Sequence, residues 1–187
     1  RAAGIPVNIK NTNQPEDRGT MIVSESAEHC DHIITGIAGK KGMSVINIEK
    51  DKMNSEIGFG KNVLRALEKS NVSFEHMPSG VDTMSVVIAT EALAGKETAI
   101  IDEIKSRVHP DQIYIESNLA LIAVVGRGMK SARGTAAILF SALADARVNI
   151  KMIDQGSSEL NIIVGVEEED FEVAIKAIYK RFIGINQ

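Results

Sequence analysis

Short apolar runs alternate along the chain with stretches in which apolar residues recur at helical spacing. Runs rich in Val, Ile and Met are typical of strands, whereas apolar residues spaced three or four positions apart indicate amphipathic helices. From residue 43 this pattern predicts strand, helix, strand, strand, helix and strand, the order of the split ferredoxin-like module. The predicted elements are Met43–Ile48, Phe59–Ser70, Val72–Met77, Thr83–Thr90, Lys96–Val108 and Gln112–Glu116.

The same order begins again at residue 120 but lacks its last strand. The predicted elements are Ala120–Val125, Ala132–Ala146, Val148–Ile153, Leu160–Val166 and Asp170–Phe182. His32–Ala38, upstream of the first module, is an apolar run without a place in that module. We expect it to complete the second sheet, so that the first module is inserted within the second. The predicted fold class is α+β, with two ferredoxin-like βαββαβ modules side by side.

Residues 44–88 and 120–164 are two copies of one sequence pattern, without a gap. Identical residues recur 76 positions apart, among them the pairs Met53 and Met129, Ser55 and Ser131, Gly58 and Gly134, and Leu67 and Leu143. A repeat of this length indicates one supersecondary module that is used twice.

The predicted modules divide the chain into three parts. Residues 43–118 form the first module, and residues 31–42 together with 119–187 form the second. Residues 1–30 contain a further strand, Ile5–Lys10, and a polar loop. The chain starts with Arg1 rather than methionine, so we interpret it as a piece of a longer polypeptide that contains the contacts of this strand.

Composition limits the classes of function. The formal net charge of −4 and the pI of about 5.6 argue against nucleic acid as a partner, because such a partner requires a basic face. No apolar run approaches the roughly 20 residues of a membrane span, and no signal peptide opens the chain. Cys30 is the only cysteine, so an internal disulfide is impossible. We expect a cytoplasmic protein without a membrane partner.

Patterns typical of catalysis and of metal binding are absent from the sequence. The glycine-rich strings that begin at Gly36 and Gly126 match neither phosphate-binding pattern, and we interpret them as tight turns. The 4 histidines lack metal-ligand spacing, and neither Ser55 nor Ser131 lies in a nucleophile elbow. We therefore expect no catalytic residue, no cofactor and no metal site in this chain.

The loop before the first helix is the best candidate for a binding site. Met53–Phe59 leads directly into a helix whose first backbone N–H groups are unpaired, and such a helix start suits a carboxylate. The next strand carries Glu75 and the following turn carries Asp82, and both suit a cationic group of the same small zwitterion. An amino acid with a cationic side chain, such as lysine, has both kinds of group.

The repeat allows the two modules to be compared at these positions. Lys151 matches Glu75, and Ser158 matches Asp82. A cationic ligand would meet repulsion in the second module and would lose two charged contacts, each worth on the order of 1.5–3 kcal/mol. We therefore expect the sensor in the first module and a packing role for the second. The alternative is that Glu75 and Asp82 are solvated charges at a sheet edge.

Val72–Met77 is predicted to form an edge strand of the first module. An exposed edge is a pairing surface unless it is covered. We therefore expect a homodimer in which two first modules pair and the ligand loops lie at the subunit boundary.

Longer motifs identify a family. The segment Gly128–Gly134 together with Ala142–Leu160 closely resembles the second ACT domain of aspartokinases, and Pro78–Ile88 is similar to their first ACT domain. Ile5–Thr12 resembles the stretch that ends their catalytic domain, as does the pair Gly19–Thr20. These motifs occur in the order of the family and span nearly the whole chain.

The resemblance implies the regulatory region of a kinase that phosphorylates aspartate with ATP, the first step toward lysine, threonine and methionine. ATP, magnesium and aspartate would bind a catalytic domain outside this chain, which alone would be non-catalytic. The ACT domains would bind an end-product amino acid and dimerise, and lysine would inhibit by a population shift that also affects the catalytic domain. The effector contacts that the resemblance implies are Met53, Ser55, Gly58, Phe59, Phe74, Glu75, Asp82 and Thr83.

Two alternatives stay open on the sequence. Threonine in place of lysine would have no cation for Glu75. A stand-alone, non-enzymatic amino-acid sensor or regulatory subunit would contain the same modules. The turn Met77–Val81 is also longer than in some members of the family, and Gly60 replaces a larger apolar residue, so the contacts of Asp82 and Thr83 rest on a less regular match than those of the loop.

Overall fold

The computed structural model describes residues 5–22 and 33–185, and contacts divide the chain into two compact units, residues 1–31 and 32–187. The N-terminal unit contributes a hairpin in which β1 (Val7–Ile9) pairs antiparallel with β2 (Thr20–Ile22). Its large apolar side chains are exposed: Ile5, Val7, Ile9, Met21 and Ile22. The described part of this hairpin therefore has no hydrophobic core of its own.

The main unit is built on a five-stranded antiparallel sheet with the strand order β4-β3-β5-β7-β6. Its strands are β3 (Gly36–Glu49), β4 (Thr83–Ala89), β5 (Gln112–Val125), β6 (Met152–Asp154) and β7 (Asn161–Glu167). Its helices are α1 (Phe59–Lys69), α2 (Thr90–Leu93), α3 (Glu97–Val108), α4 (Thr135–Asp145) and α5 (Phe171–Ile185). Short 3-10 segments occur at Met53–Ser55, Arg127–Ser131 and Glu168–Asp170.

Strands β3 and β5 are each 14 residues long and belong to both βαββαβ modules. Residues 43–49 of β3 pair with β4, and residues 45–49 also pair with residues 112–116 of β5, which builds the sheet of the first module. Residues 36–40 of β3 pair with residues 121–125 of β5, whose other edge pairs with β7 in the second module. The predicted fold, with the first module inserted in the second, is confirmed. Two pairs of predicted strands have merged into single strands.

Two β-bulges lie where β3 and β5 pass from one module to the other. The register shifts between Lys40 and Met43, where β3 has an extra residue, and again between Met43 and Val45, where β5 has one. Gly42 (φ +72°) and Asn118 (φ +62°) lie in these bulges, in the left-handed conformation that Gly and Asn adopt most readily. They are 76 positions apart, so the repeat includes both long strands.

Each module has its own hydrophobic core between its sheet and its helices. The periods of two along strands and about 3.6 along helices bring their apolar residues together. The core of the first module includes Ile46, Ile48, Val63, Leu67, Val86, Ile88, Ile100 and Ile104. The core of the second module includes Ile122, Val124, Leu139, Leu143, Val164, Val166, Ile178 and Phe182.

A third hydrophobic cluster joins the two modules, and we call it the junction cluster. Its buried members are Met43, Val45 and Val87 from the first module, and Leu119, Leu121 and Ile163 from the second. Val45 alternates with Ile46 along β3, and it therefore points to the face of the sheet opposite the helices. The modules thus pack against each other through their helix-free faces.

The predicted strand Val72–Met77 differs most from the structure. In the described chain this segment forms only an isolated bridge, from His76 to Val87, and a second bridge follows it, from Ser79 to Met84. Pro78 lies between the two bridges and has no N–H group to donate to a ladder, so regular pairing stops there. The edge of the first module is consequently a loosely paired segment, residues 72–79, rather than a strand, and we call it the edge segment.

Other predicted element boundaries differ from the observed ones by a few residues. The helix predicted from Ala132 begins at Thr135, because Gly134 (φ +86°) precedes the first helical residue. The strand predicted at Val148–Ile153 is the shorter β6. The strand predicted at His32–Ala38 begins at Gly36 within β3, and residue 32 lies outside the described residues.

The repeat contains a two-residue insertion that the ungapped sequence comparison missed. Ile46 pairs with Val86, whereas its equivalent Ile122 pairs with Val164, so the third strands are 164 − 86 = 78 positions apart rather than 76. The insertion lies in the turn before β7. The predicted match between Asp82 and Ser158 is therefore wrong, because both residues belong to turns of different length.

Gly42→Ala should lower the free energy of unfolding by about 1 kcal/mol, because an added Cβ meets no atom within 4 Å and the cost is that of the left-handed backbone alone. Urea unfolding followed by circular dichroism measures the change. Gly156→Ala is the matched control, since the backbone there has no positive φ and the new methyl reaches only Ser158 Oγ at 4.0 Å. Equal losses in the two variants would contradict this explanation of the bulge.

Candidate effector site

The loop before α1 is held by the turn before β4. The N–H of Lys50 donates to the Asp82 carbonyl (2.8 Å), and the N–H of Asn54 donates to the Val81 carbonyl (3.0 Å). The carboxylate of Asp82 accepts from the N–H of Lys52 (2.8 Å). Asp82 therefore positions the loop, and its carboxylate already has a backbone donor.

The loop turns two of its predicted contact residues inward. Met53 and Phe59 are only 4% and 3% exposed and pack in the core of the first module. Ser55 and Gly58 are exposed, and the side chain of Ile57 is fully exposed. Of the predicted loop contacts, only Ser55, Gly58 and the backbone thus face solvent.

Helix α1 starts without a side-chain cap. Gly58 is its N-cap residue at φ +85°, and its carbonyl accepts from the N–H of Asn62 (3.0 Å). In the described part of the chain, the N–H groups of Gly60 and Lys61 have no hydrogen-bond acceptor. A helix start with free N–H groups attracts a carboxylate through hydrogen bonds and the helix dipole.

The edge segment places Glu75 at the junction between the modules. The N–H of Glu75 donates to the Val87 carbonyl (2.8 Å), and its carboxylate lies 2.5 Å from the ammonium of Lys40. Both side chains remain partly exposed, Lys40 to 57% and Glu75 to 41%. Phe74, the preceding residue, is 43% exposed. Lys40 was not predicted as part of the site, although the sequence shows that it matches Glu116, 76 positions later in the repeat.

The second module has the equivalent ion pair with reversed polarity. The N–H of Lys151 donates to the Gly165 carbonyl (2.8 Å), which confirms that Lys151 and Glu75 occupy matching ladder positions. The Lys151 ammonium pairs with Glu116, which lies 76 positions after Lys40, and with Glu167 at 3.2 Å. These hydrogen bonds, the one to Glu116 first, raise the pKa of Lys151 above its usual value.

A third polar contact joins the edges of the two modules. His76 Nδ1 lies 3.1 Å from the carboxylate of Asp154 on β6. It adds to the two lysine–glutamate pairs and to the junction cluster. The face between the modules therefore has an apolar centre and a charged border.

The structure brings the predicted residues together as two groups. The first group lies on the loop and on the turn that supports it, and it contains Met53, Ser55, Gly58, Phe59, Asp82 and Thr83. The carbonyl of Thr83 accepts a hydrogen bond from the N–H of Gly80 (2.7 Å). The edge segment contains Phe74 and Glu75, and the side chain of Glu75 contacts Lys40 rather than the loop. Both groups belong to the first module, and all of their members except Met53 and Phe59 are exposed.

Two surface cavities in the described chain lie mostly apart from these residues. One of about 530 Å³ lies between α1 and α3, beside Lys69 and Glu103. The other, of about 180 Å³, lies beside Asn47, Ser85 and Tyr114, and Thr83 also lines it. Of the predicted effector contacts, Thr83 alone lines either of these two cavities.

Residues 5–22 and 33–185 provide neither a candidate metal cluster nor a helix that could span a membrane. No group of three or more His, Cys, Asp or Glu side chains there is arranged to hold a metal ion. None of the helices in these ranges has the length and apolar character needed to cross a bilayer.

Asp82→Ala should remove the acceptor of the Lys52 N–H and lower the free energy of unfolding by about 1 kcal/mol. The amide of Lys52 should also exchange faster with solvent, which hydrogen-exchange NMR measures. Asp82→Asn is the matched control because it keeps an oxygen acceptor at the same place. Equal exchange at Lys52 in the wild type and in Asp82→Ala would show that the carboxylate does not hold the loop.

The pKa of Lys151 should fall toward its ordinary value of 10.5 in Glu116→Gln. Because the pKa of Lys151 is raised in the folded state, its ion pairs stabilise the fold. This contribution is complete at pH values below the unfolded-state pKa of Lys151, and it is lost as the pH rises through the folded-state pKa. NMR titration of the Lys151 side chain measures the shift, with the exposed Glu68→Gln as the control. A pKa that does not move in Glu116→Gln would refute the assigned cause.

Comparisons with known proteins agree with this architecture. Residues 122–182 match the family model of the ACT domain. The chain is 42% identical over 181 residues to aspartokinase 3 of Bacillus subtilis, which covers 96% of this chain and 40% of that protein. The crystal structure of Clostridium acetobutylicum aspartate kinase is 55% identical with a TM-score of 0.91, over 97% of this chain and 42% of that one.

Escherichia coli aspartokinase III, in complex with lysine and aspartate, has the same fold with a TM-score of 0.76 and 20% identity, over 97% of this chain and 40% of that one. The chain thus spans less than half the length of these relatives. The similarity covers both modules and confirms the resemblance found in the sequence. By sequence and by fold, the chain belongs to the aspartokinase family, as a counterpart of its ACT-domain regulatory region.

Proposed function

We propose that this chain is the lysine-sensing region of an aspartokinase. Lysine binds the first module, with its carboxylate at the start of α1 and an ammonium group at Glu75. The whole protein transfers the terminal phosphate of ATP to the side-chain carboxylate of aspartate. ATP and magnesium act in the catalytic domain, and lysine bound to this region inhibits the reaction.

The charge difference between matching ladder positions is the observation that carries this proposal. Glu75 and Lys151 donate equivalent backbone hydrogen bonds, so the scaffold is the same and only the charge differs. The carboxylate of Glu75 is partly exposed and accessible to a cationic ligand. At the same place the second module presents an ammonium group, which repels such a ligand.

The free N–H groups at the start of α1 supply the second half of the recognition. They bind a carboxylate without a basic side chain, which fits an amino acid as the ligand. The carboxylate of Asp82 already accepts from Lys52, so its contribution is to shape the loop. Glu75 is therefore the group that distinguishes lysine from threonine, because threonine has no side-chain cation.

A second copy of the chain completes the site. The exposed apolar side chains Ile57, Phe74 and Val81 lie on the loop, the edge segment and the supporting turn, the three segments that carry the proposed contacts. A partner's first module would cover this surface and enclose the ligand, since an uncovered sheet edge readily pairs. Lysine at such a boundary favours one dimer geometry over another, and this differential affinity is the source of inhibition.

Isothermal titration of the chain with lysine should show binding that Glu75→Gln weakens by about 10-fold or more, because a hydrogen bond to a charged group is lost. Glu68→Gln, on the exposed face of α1, is the matched control and should leave the dissociation constant unchanged. Analytical ultracentrifugation should show that lysine increases the dimer fraction.

Wild-type affinity in Glu75→Gln would reject the assignment of the ammonium site. A thermal-shift series with the twenty common amino acids tests the choice of ligand. Stabilisation by threonine in preference to lysine would favour the threonine-responsive alternative.

A further inference from the structure

We infer that Lys40 is a built-in competitor for the effector site: its ammonium occupies Glu75, and a bound lysine must displace it. This inference rests on the proposed function, since it concerns the same carboxylate. It assigns to Lys40 a role in setting the affinity for the effector and in linking the two modules.

The chemistry of the contact supports exchange. The Lys40 ammonium lies 2.5 Å from Glu75, and it is the same chemical group as the side-chain ammonium of free lysine. Because both side chains are about half exposed, water and ions screen their attraction, and such pairs are held weakly. A ligand that adds hydrogen bonds at the start of α1 can therefore replace Lys40 at Glu75.

The position of Lys40 gives this exchange a structural consequence. Lys40 lies in the part of β3 that pairs with Leu121 and belongs to the sheet of the second module. Glu75 lies on the edge of the first module. Displacement of Lys40 therefore breaks a contact between the modules, so that binding at one module changes the charged border of the junction.

The second module shows the same ion pair in a form that cannot open to a cationic ligand. There the edge residue is the lysine, Lys151, and two carboxylates hold its ammonium group, those of Glu116 and Glu167. These hydrogen bonds raise the pKa of Lys151. In the described residues, Lys40 has a single carboxylate partner, Glu75. The two pairs therefore differ in strength as well as in polarity, and the weaker one lies in the module proposed to bind lysine.

The rest of the junction does not depend on Lys40. The contact between His76 and Asp154 and the apolar residues of the junction cluster are separate from it. Release of Lys40 is thus a local change that leaves the two modules packed.

Isothermal titration of the 187-residue chain with lysine at low ionic strength tests the inference. Lys40→Gln should bind lysine about two- to five-fold more tightly than the wild type, because the competing cation is gone. Lys41→Gln removes the neighbouring charge, whose partner is Glu172 rather than Glu75, and should leave the affinity unchanged. The gain in Lys40→Gln should shrink as salt is added, since salt screens the competition.

The double variant Lys40→Gln/Glu75→Gln separates this inference from the proposed function. It should bind no better than Glu75→Gln alone, because Lys40 acts only through Glu75. Unchanged or weaker binding by Lys40→Gln, while Glu75→Gln still loses affinity, would overturn the role of Lys40 and leave the proposed function intact. Wild-type affinity in Glu75→Gln, or no binding of lysine by the wild type and by Lys40→Gln, would reject both.

Discussion

The antiparallel pairing of β3 with β5 is the constraint on which the rest of the structure depends. Each strand serves one module with one half and the other module with the other half. Neither sheet can therefore form without the strand that also builds its neighbour. The bulges at Gly42 and Asn118 allow the strands to change register between the halves, and the modules then meet through their helix-free faces.

The junction combines an apolar centre with charges whose arrangement follows the repeat. Lys40 with Glu75, and Glu116 with Lys151, are the same contact made twice with opposite polarity. This reversal keeps an ion pair at each end of the junction while it makes the two edges chemically different. An edge that presents a carboxylate attracts an ammonium group, and an edge that presents an ammonium group repels it. On the proposed function, one scaffold thus yields one module suited to a basic amino acid and one suited to packing.

The groups proposed to bind the effector are exposed on the first module: Ser55 and Gly58 on the loop, and Glu75 on the edge segment. The side chain of Glu75 contacts Lys40 rather than the loop before α1. On the proposed function, a second copy of the chain would cover both the loop and the edge segment. Regulation by a small molecule at such a surface couples ligand affinity to assembly, since the ligand stabilises the arrangement that encloses it. The competing ammonium of Lys40 would add a link from the same site to the second module.

The repeat, the α+β class and the inserted topology followed from the sequence alone, because apolar periodicity is a local property of strands and helices. The loop before α1 and the opposite charges at positions 75 and 151 were also readable. The tertiary structure decided what periodicity could not show. The register of β3 with β4 and of β5 with β7 shows that Asp82 and Ser158 are not equivalent. The bridges to β4 show that regular pairing of the edge segment stops at Pro78, and the side chains show that Lys40 contacts Glu75. These features depend on which strands lie beside each other and in which register, and residues 35 positions apart in sequence meet only when the fold brings them together.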